Sequence, residues 1–197
     1  MVDIPSCIDW LSEKHPSEKI YYLGHSVAGQ VAGIVPNFHR IHKAIFFCST
    51  GGYFTLFNFP VNVFSFIMFY IQIPIVTKIF GHLPKGITYR GVAIARDVAN
   101  QWAYISRQKN YFKSLLNSQT DRYKSVNQRI EWLSFTDDKI ATIRAVQYMM
   151  DFYPSASITH HRVNPSELGL DRIGHSGLFN PKKGKPFWGH VLHYIED

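Results

Sequence analysis

Three short runs carry residue types whose order along the chain could do nucleophilic chemistry. The first is Gly24-His25-Ser26-Val27-Ala28-Gly29. A serine between small residues, where a strand gives way to a helix, can hold its oxygen above the edge of a sheet. Gly24 is small two residues before it; Ala28 stands two residues after, followed by Gly29. Such a hydroxyl needs a general base to take its proton and a carboxylate to orient that base. The second run, Asp137-Asp138-Lys139-Ile140-Ala141, offers carboxylates, and the third, Gly174-His175-Ser176-Gly177, offers an imidazole with small neighbours. Together they fit attack on an acyl carbonyl. The alternative for the first run alone is a glycine turn with Ser26 as a helix N-cap.

The elements needed to position these residues are readable from pattern. Asp9–Lys14 ends a helix, stopped by His15-Pro16. Strands are expected at Lys19–Leu23, Lys43–Cys48, Arg129–Phe135 and Ser157–Val163, and helices over 27–35 and 142–152 and from Trp188 to Ile195. The second strand is apolar throughout, as a strand covered on both faces must be. Strands alternating with helices predict an α/β protein with a parallel sheet. Between them, residues 49–124 form a helical insertion, leaving 1–48 and 125–197 as the core. In the insertion, Val92, Ala95, Ala99 and Trp102 recur at helical spacing, with Arg96, Asp97 and Asn100 facing away.

Composition narrows the class. The chain has 197 residues, 46% hydrophobic and 18% charged, with a net charge of +7. This excludes a disordered, collagen-like or coiled-coil chain. The basic residues are spread along the sequence, and the densest run, Lys182-Lys183-Gly184-Lys185, reads as a loop. No basic stripe for nucleic acid is expected. Two cysteines and the absence of a basic n-region followed by an apolar stretch point to a reducing cytoplasm. From Ala44 to Thr77 there is no Asp, Glu, Lys, Arg or His. Pro60 suits a first helical turn and Pro74 should break or kink the helix, leaving about 14 residues, short of the roughly 20 a span needs. Asn58, Asn62, Ser65 and Gln72 share one helical face, so a buried or lid helix with a polar stripe is expected.

The chain resembles the α/β-hydrolase superfamily, specifically a bacterial group of predicted hydrolases with a helical cap. The resemblance rests on the Ser26 run, on Gly81, Leu83-Pro84 and Gln101-Trp102 in the cap, on Phe135-Thr136-Asp137-Asp138 with Arg144-Ala145-Val146 after it, and on Leu168-Gly169-Leu170-Asp171-Arg172-Ile173-Gly174-His175. It implies Ser26 as nucleophile, Asp138 as orienting acid, His175 as base and the Val27 N–H as an oxyanion donor. Thr142 stands where many members have proline. Rivals remain. Asp137 could be the acid and His160 or His161 the base. His25 is expected to pack below the nucleophile, and Cys48 at a strand end. His39/His42 and His190/His193 have helical spacing without an evident third metal ligand. The resemblance implies no cofactor and no metal.

One departure is large. The family sets about four strands and a second oxyanion donor before its nucleophile strand. Here eighteen residues precede Lys19. The expected fold is therefore the C-terminal half of the α/β-hydrolase sheet with an inserted cap, and a partner chain is a candidate source of the missing strands. The expected function is that of an esterase- or lipase-like serine hydrolase acting on a hydrophobic acyl substrate. The rival is an inactive hydrolase remnant that binds a partner or, through its apolar cap, a membrane surface.

Overall fold

The computed structural model describes residues 2–86, 92–117 and 121–196, the side chains of His190 and Glu196 excepted. The chain divides into two compact units, Met1–Gly51 with Asn117–Asp197, and Gly52–Leu116.

The first unit is built on four parallel strands in the order β1-β2-β5-β6. These are β1 (Tyr21–His25), β2 (Lys43–Phe47), β5 (Arg129–Phe135) and β6 (Ser157–Val163). In register, Leu23 faces Ile45, Ile45 faces Glu131 and Glu131 faces Thr159. Every residue of β2 is buried, and so are six of the seven of β5, as the central position of both strands requires. The β1 strand lies two residues later than its pattern suggests, because Gly24 and His25 continue the extended chain up to the turn at Ser26. On its outer side no strand pairs with it among the described residues.

Helix α1 (Asp3–Lys14) docks through Asn37, whose amide donates to Pro5 O and Asp9 Oδ1 at 2.8 and 2.7 Å. The expected helix over 27–35 is one short α-turn, α2 (Val27–Gln30), tightening into a 3₁₀ stretch at Val31–Ile34. Two tyrosines seal it: Tyr123 Oη donates to Gln30 O at 2.7 Å, and Tyr153 Oη bonds Gly29 O at 2.7 Å. A methyl group on Gly33 would strike the Tyr123 ring, which packs there. Helix α6 (Ile143–Met150) begins at Thr142, whose hydroxyl accepts from Ala145 N. A capping hydroxyl thus stands where many members of the resembled superfamily have proline. Helix α7 runs from Pro181 to Glu196, so the basic segment read as a loop forms its first turns. Pro181 suits that helix start.

The second unit holds α3 (Val61–Ile67), a π-turn (Met68–Gln72), α4 (Ile73–Phe80) and α5 (Arg96–Arg107). A two-stranded ribbon of β3 (His82–Leu83) and β4 (Ile94–Ala95) joins them. Pro74 does not break the helix. The wide π-turn just before it absorbs the missing N–H, and helical structure runs on to Gly81, which caps it at φ 74°. The helix at Arg96–Arg107 starts later than the pattern predicts: Val92 precedes it and is exposed, while Ala95 belongs to β4. The core of this unit is Phe69, Ile73, Leu83, Ala99 and Ala103, with Trp102 packed against it. Ser65 and Thr77 are buried with them; of the other members of the expected polar stripe, Asn58 is exposed and Asn62 and Gln72 are half-buried. Thr77 spends its hydroxyl on Ile73 O and Asn100 Oδ1.

Candidate active site

Parallel strands end on one edge, and the residues singled out above leave from that edge of β1, β2 and β5 and from the loop after β6. Ser26 follows β1 directly, at φ 52° and ψ −114°. A non-glycine residue at such an angle carries strain of order 1–3 kcal/mol and persists only where its surroundings enforce it. The enforcing bonds are present. Ser26 N–H donates to Phe47 O at 2.8 Å, and the Tyr22 hydroxyl, its pKa pushed up to about 12 by burial, donates to Ala28 O at 2.8 Å. The helix sits close on the strand. A Cβ on Gly24 would lie 2.9 Å from Gly29 N, and one on Gly29 would lie 2.1 Å from Ser49 Oγ. Gly24 and Gly29 are thus the small residues this turn requires. Val27 opens α2, so its N–H is among those a helix start leaves without an intrahelical acceptor.

Asp138 is buried at the end of β5. Its Oδ1 accepts from Ile140 N and Ala141 N at 2.8 and 2.9 Å, and its Oδ2 bonds His175 Nδ1 at 2.8 Å. Burial pushes this carboxyl up, but the hydrogen bond and charge of His175, with the two backbone N–H groups, outweigh it and hold the pKa below its ordinary value. The carboxylate is therefore ionised and can only accept, which makes His175 Nδ1 the donor; in the neutral ring Nε2 is then the acceptor. Nε2 lies 3.0 Å from Ser26 Oγ. His175 is thus within hydrogen-bond reach of both other expected residues, Asp138 and Ser26.

The rivals find other work. Asp137 Oδ2 accepts from Ile173 N and Gly174 N, both at 2.9 Å, and so anchors the loop that carries His175. His25 packs against the His175 and Phe179 rings, and its Nε2 also donates to His175 O at 2.7 Å. His160 bonds Ser134 Oγ and His161 bonds Glu131, both at 2.8 Å. Burial, then the charges of Arg162 and His161, lower the His160 pKa.

Cys48 follows β2 at φ 50°, fully buried, with its Sγ within 4.8 Å of ligand atoms of Asp138 and His175. Burial, then that carboxylate, push its pKa well up, so it stays a thiol. No pattern in the sequence signals this contact, nor that of Arg162, whose Nη1 donates to Ala141 O at 2.9 Å and steadies the Asp138 turn. Cys48, Asp138 and His175 form the one grouping of three metal-ligand types among the described residues, and it coincides with this hydrogen-bonded set. His39 and His42 line an open cleft of about 530 Å³ with Lys19 and Arg129, beside the opposite ends of the strands. His193 belongs to α7; the side chain of His190 lies outside the described residues.

No family model and no curated protein matches the sequence. Solved structures do. The chain is similar to a monoacylglycerol lipase of Paleococcus ferrophilus, with TM-score 0.55 and 13% identity, covering 98% of this chain and 73% of that one. It is similar also to an esterase of Exiguobacterium antarcticum, with TM-score 0.51 and 11% identity, covering 98% and 72%. Against the esterase domain of a Rhodothermus marinus protein the TM-score is 0.49 at 14% identity, and this chain, 96% covered, spans 64% of that domain's length. At such identities the likeness speaks for the fold. The chain has the α/β-hydrolase fold: a parallel sheet with helices, carrying its serine on the turn after a strand.

Proposed function

We propose that the chain is a serine hydrolase that cleaves carboxylic esters, with Ser26 as nucleophile, His175 as general base and Asp138 as orienting acid. The observation that carries this reading is the His175 ring, bonded at one nitrogen to Asp138 and at the other to Ser26. Structural neighbours named as a lipase and an esterase support the class of bond. Ser26 Oγ attacks the acyl carbon while its proton passes to His175 Nε2, and Asp138 stabilises the imidazolium. The Val27 N–H would donate to the oxygen that gains charge. Collapse breaks the ester C–O bond, and His175 returns the proton to the leaving alcohol. Water, deprotonated by the same ring, then releases the acid and restores Ser26. The apolar, charge-free stretch from Ala44 to Thr77 supports a hydrophobic acyl group.

A fluorophosphonate probe and a p-nitrophenyl ester test the reading. The wild-type chain should take the probe and turn over the ester. Ser26→Ala should lose labelling and at least about 10³-fold in turnover. Equal labelling of both proteins would overturn the assignment.

A further inference from the structure

The second unit has an unusual surface. Helical structure from Val61 to Phe80 is 20 residues long with mean hydropathy 1.8. One row of it, Ser65, Phe69, Ile73 and Thr77, is buried in the unit's own core. Met68 and Val76 pack against that core, and most of the remaining positions are apolar and face outward. Phe64, Ile67, Ile71, Ile75 and Ile79 follow one another at spacings of three and four residues and are 65, 45, 48, 52 and 69% exposed. An uninterrupted apolar ridge of this kind on a soluble surface marks a binding face.

Charge tells what covers it. Basic residues are spread evenly along the chain, but acids are not. Between Gly52 and Leu116 stand seven Lys and Arg against one acid, Asp97, so this unit holds +6 of the chain's +7. Several of these cations flank the ridge helix. Lys78 lies in its last turn and is exposed. Arg96 reaches the Gly81 cap, and the Arg107 guanidinium sits 5.3 Å from the centre of the Tyr70 ring. Lys85 follows, exposed. An apolar ridge with a cationic rim fits a surface that is oily within and negative outside. A second copy of the chain would bring the same positive face and repel it. A span is long enough on paper, at about 1.5 Å per residue, but the row from Ser65 to Thr77 is already committed side-on to the core that holds Ala99 and Ala103.

We infer that this helix is an interfacial anchor that lays Phe64, Ile67, Ile71, Ile75 and Ile79 into the surface of an anionic lipid bilayer. The anchor lies on the membrane and does not cross it.

The test is co-sedimentation of the full chain with vesicles of phosphatidylcholine alone or mixed with phosphatidylglycerol. Anionic vesicles should retain at least about tenfold more protein at low salt, and about 0.5 M salt should erase most of that preference. Ile71→Glu with Ile75→Glu, at exposed positions, should abolish binding while leaving the melting curve unchanged. Lys78→Gln with Lys85→Gln should keep weak binding but lose the anionic preference. Several results would overturn the inference. One is a monomer that ignores both vesicles, meaning the chain covers its own ridge. Another is a dimer that the glutamate pair dissolves, meaning a second copy covers it. Retention by membranes through alkaline carbonate would mean a span.

Discussion

Asp137 and Asp138 are adjacent in sequence and chemically identical, yet they hold different things. Asp138 holds the imidazole; Asp137 holds the loop beneath it, through the N–H groups of Ile173 and Gly174. Thr136 N–H bonds Val163 O at 3.0 Å, which ties the start of this turn to β6. On the proposed mechanism Asp137 is therefore a positioning residue. Asp137→Ala should lower kcat for an ester by about 10²-fold with little change in KM, since a displacement of about 1 Å is enough for that. Asp137→Asn keeps an oxygen that can accept both N–H groups and should recover most of the rate. Steady-state kinetics on the two variants decides, and failure of Asn to rescue would mean that the charge itself matters. The sequence makes Ser26 and His175 stand out because each sits alone among small residues. Composition does not separate the two aspartates: the resemblance favours Asp138, and the direction of the turn after Phe135 is what aims it at His175. Cys48 is legible as a residue at a strand end, but its nearness to Asp138 is not, since it sits at a positive φ that no pattern announces.

At the scale of elements, one buried carboxylate ties three strands and a helix together. Glu131 on β5 is 3.3 Å from Lys43 Nζ on β2, 3.0 Å from Arg129 Nε and 2.8 Å from His161 Nε2 on β6. Lys43 also donates to Tyr194 O in α7. Burial raises the Glu131 pKa, but the hydrogen bonds from His161 and Lys43 and the neighbouring cations outweigh it and leave the group below its ordinary value. A carboxyl lowered by folding stabilises the protein fully above its unfolded pKa, about 4.3, and loses that contribution as pH falls through the folded value. Wild-type melting temperature should be level above about pH 5 on this account and fall on the acid side. Glu131→Gln should flatten that acid limb. At neutral pH it should cost about 3–5 kcal/mol, because Lys43 is left buried without its partner. Thermal melts across pH measure both effects. The strands that frame this cluster were legible because their apolar runs have strand length and turn signals at each end. The helix from Val61 to Phe80 was legible in type but not in extent. A proline reads as a stop unless one knows that a π-turn precedes it.

For the molecule as a whole, the strand order puts the most apolar strand, β2, at the centre, beside β5, and leaves β1 with one neighbour among the described residues. Alternation of strands and helices was enough to predict that parallel sheet. The uneven placement of acids could be counted from the sequence, but it has no meaning until the fold shows that residues 52–116 form one unit. The outer side of β1 has a consequence that can be read one peptide group at a time. Ser26 N–H bonds Phe47 O and Cys48 N–H bonds Leu133 O. By the alternation of a parallel ladder, Tyr22 and Gly24 then turn their backbone groups toward β2, while Tyr21 and Leu23 turn theirs outward. In heavy water, the amides of Tyr21 and Leu23 should take up deuterium almost as fast as a free peptide, and those of Tyr22 and Gly24 only with opening of the sheet. Slow uptake at Tyr21 and Leu23 would reveal another strand lying along that side.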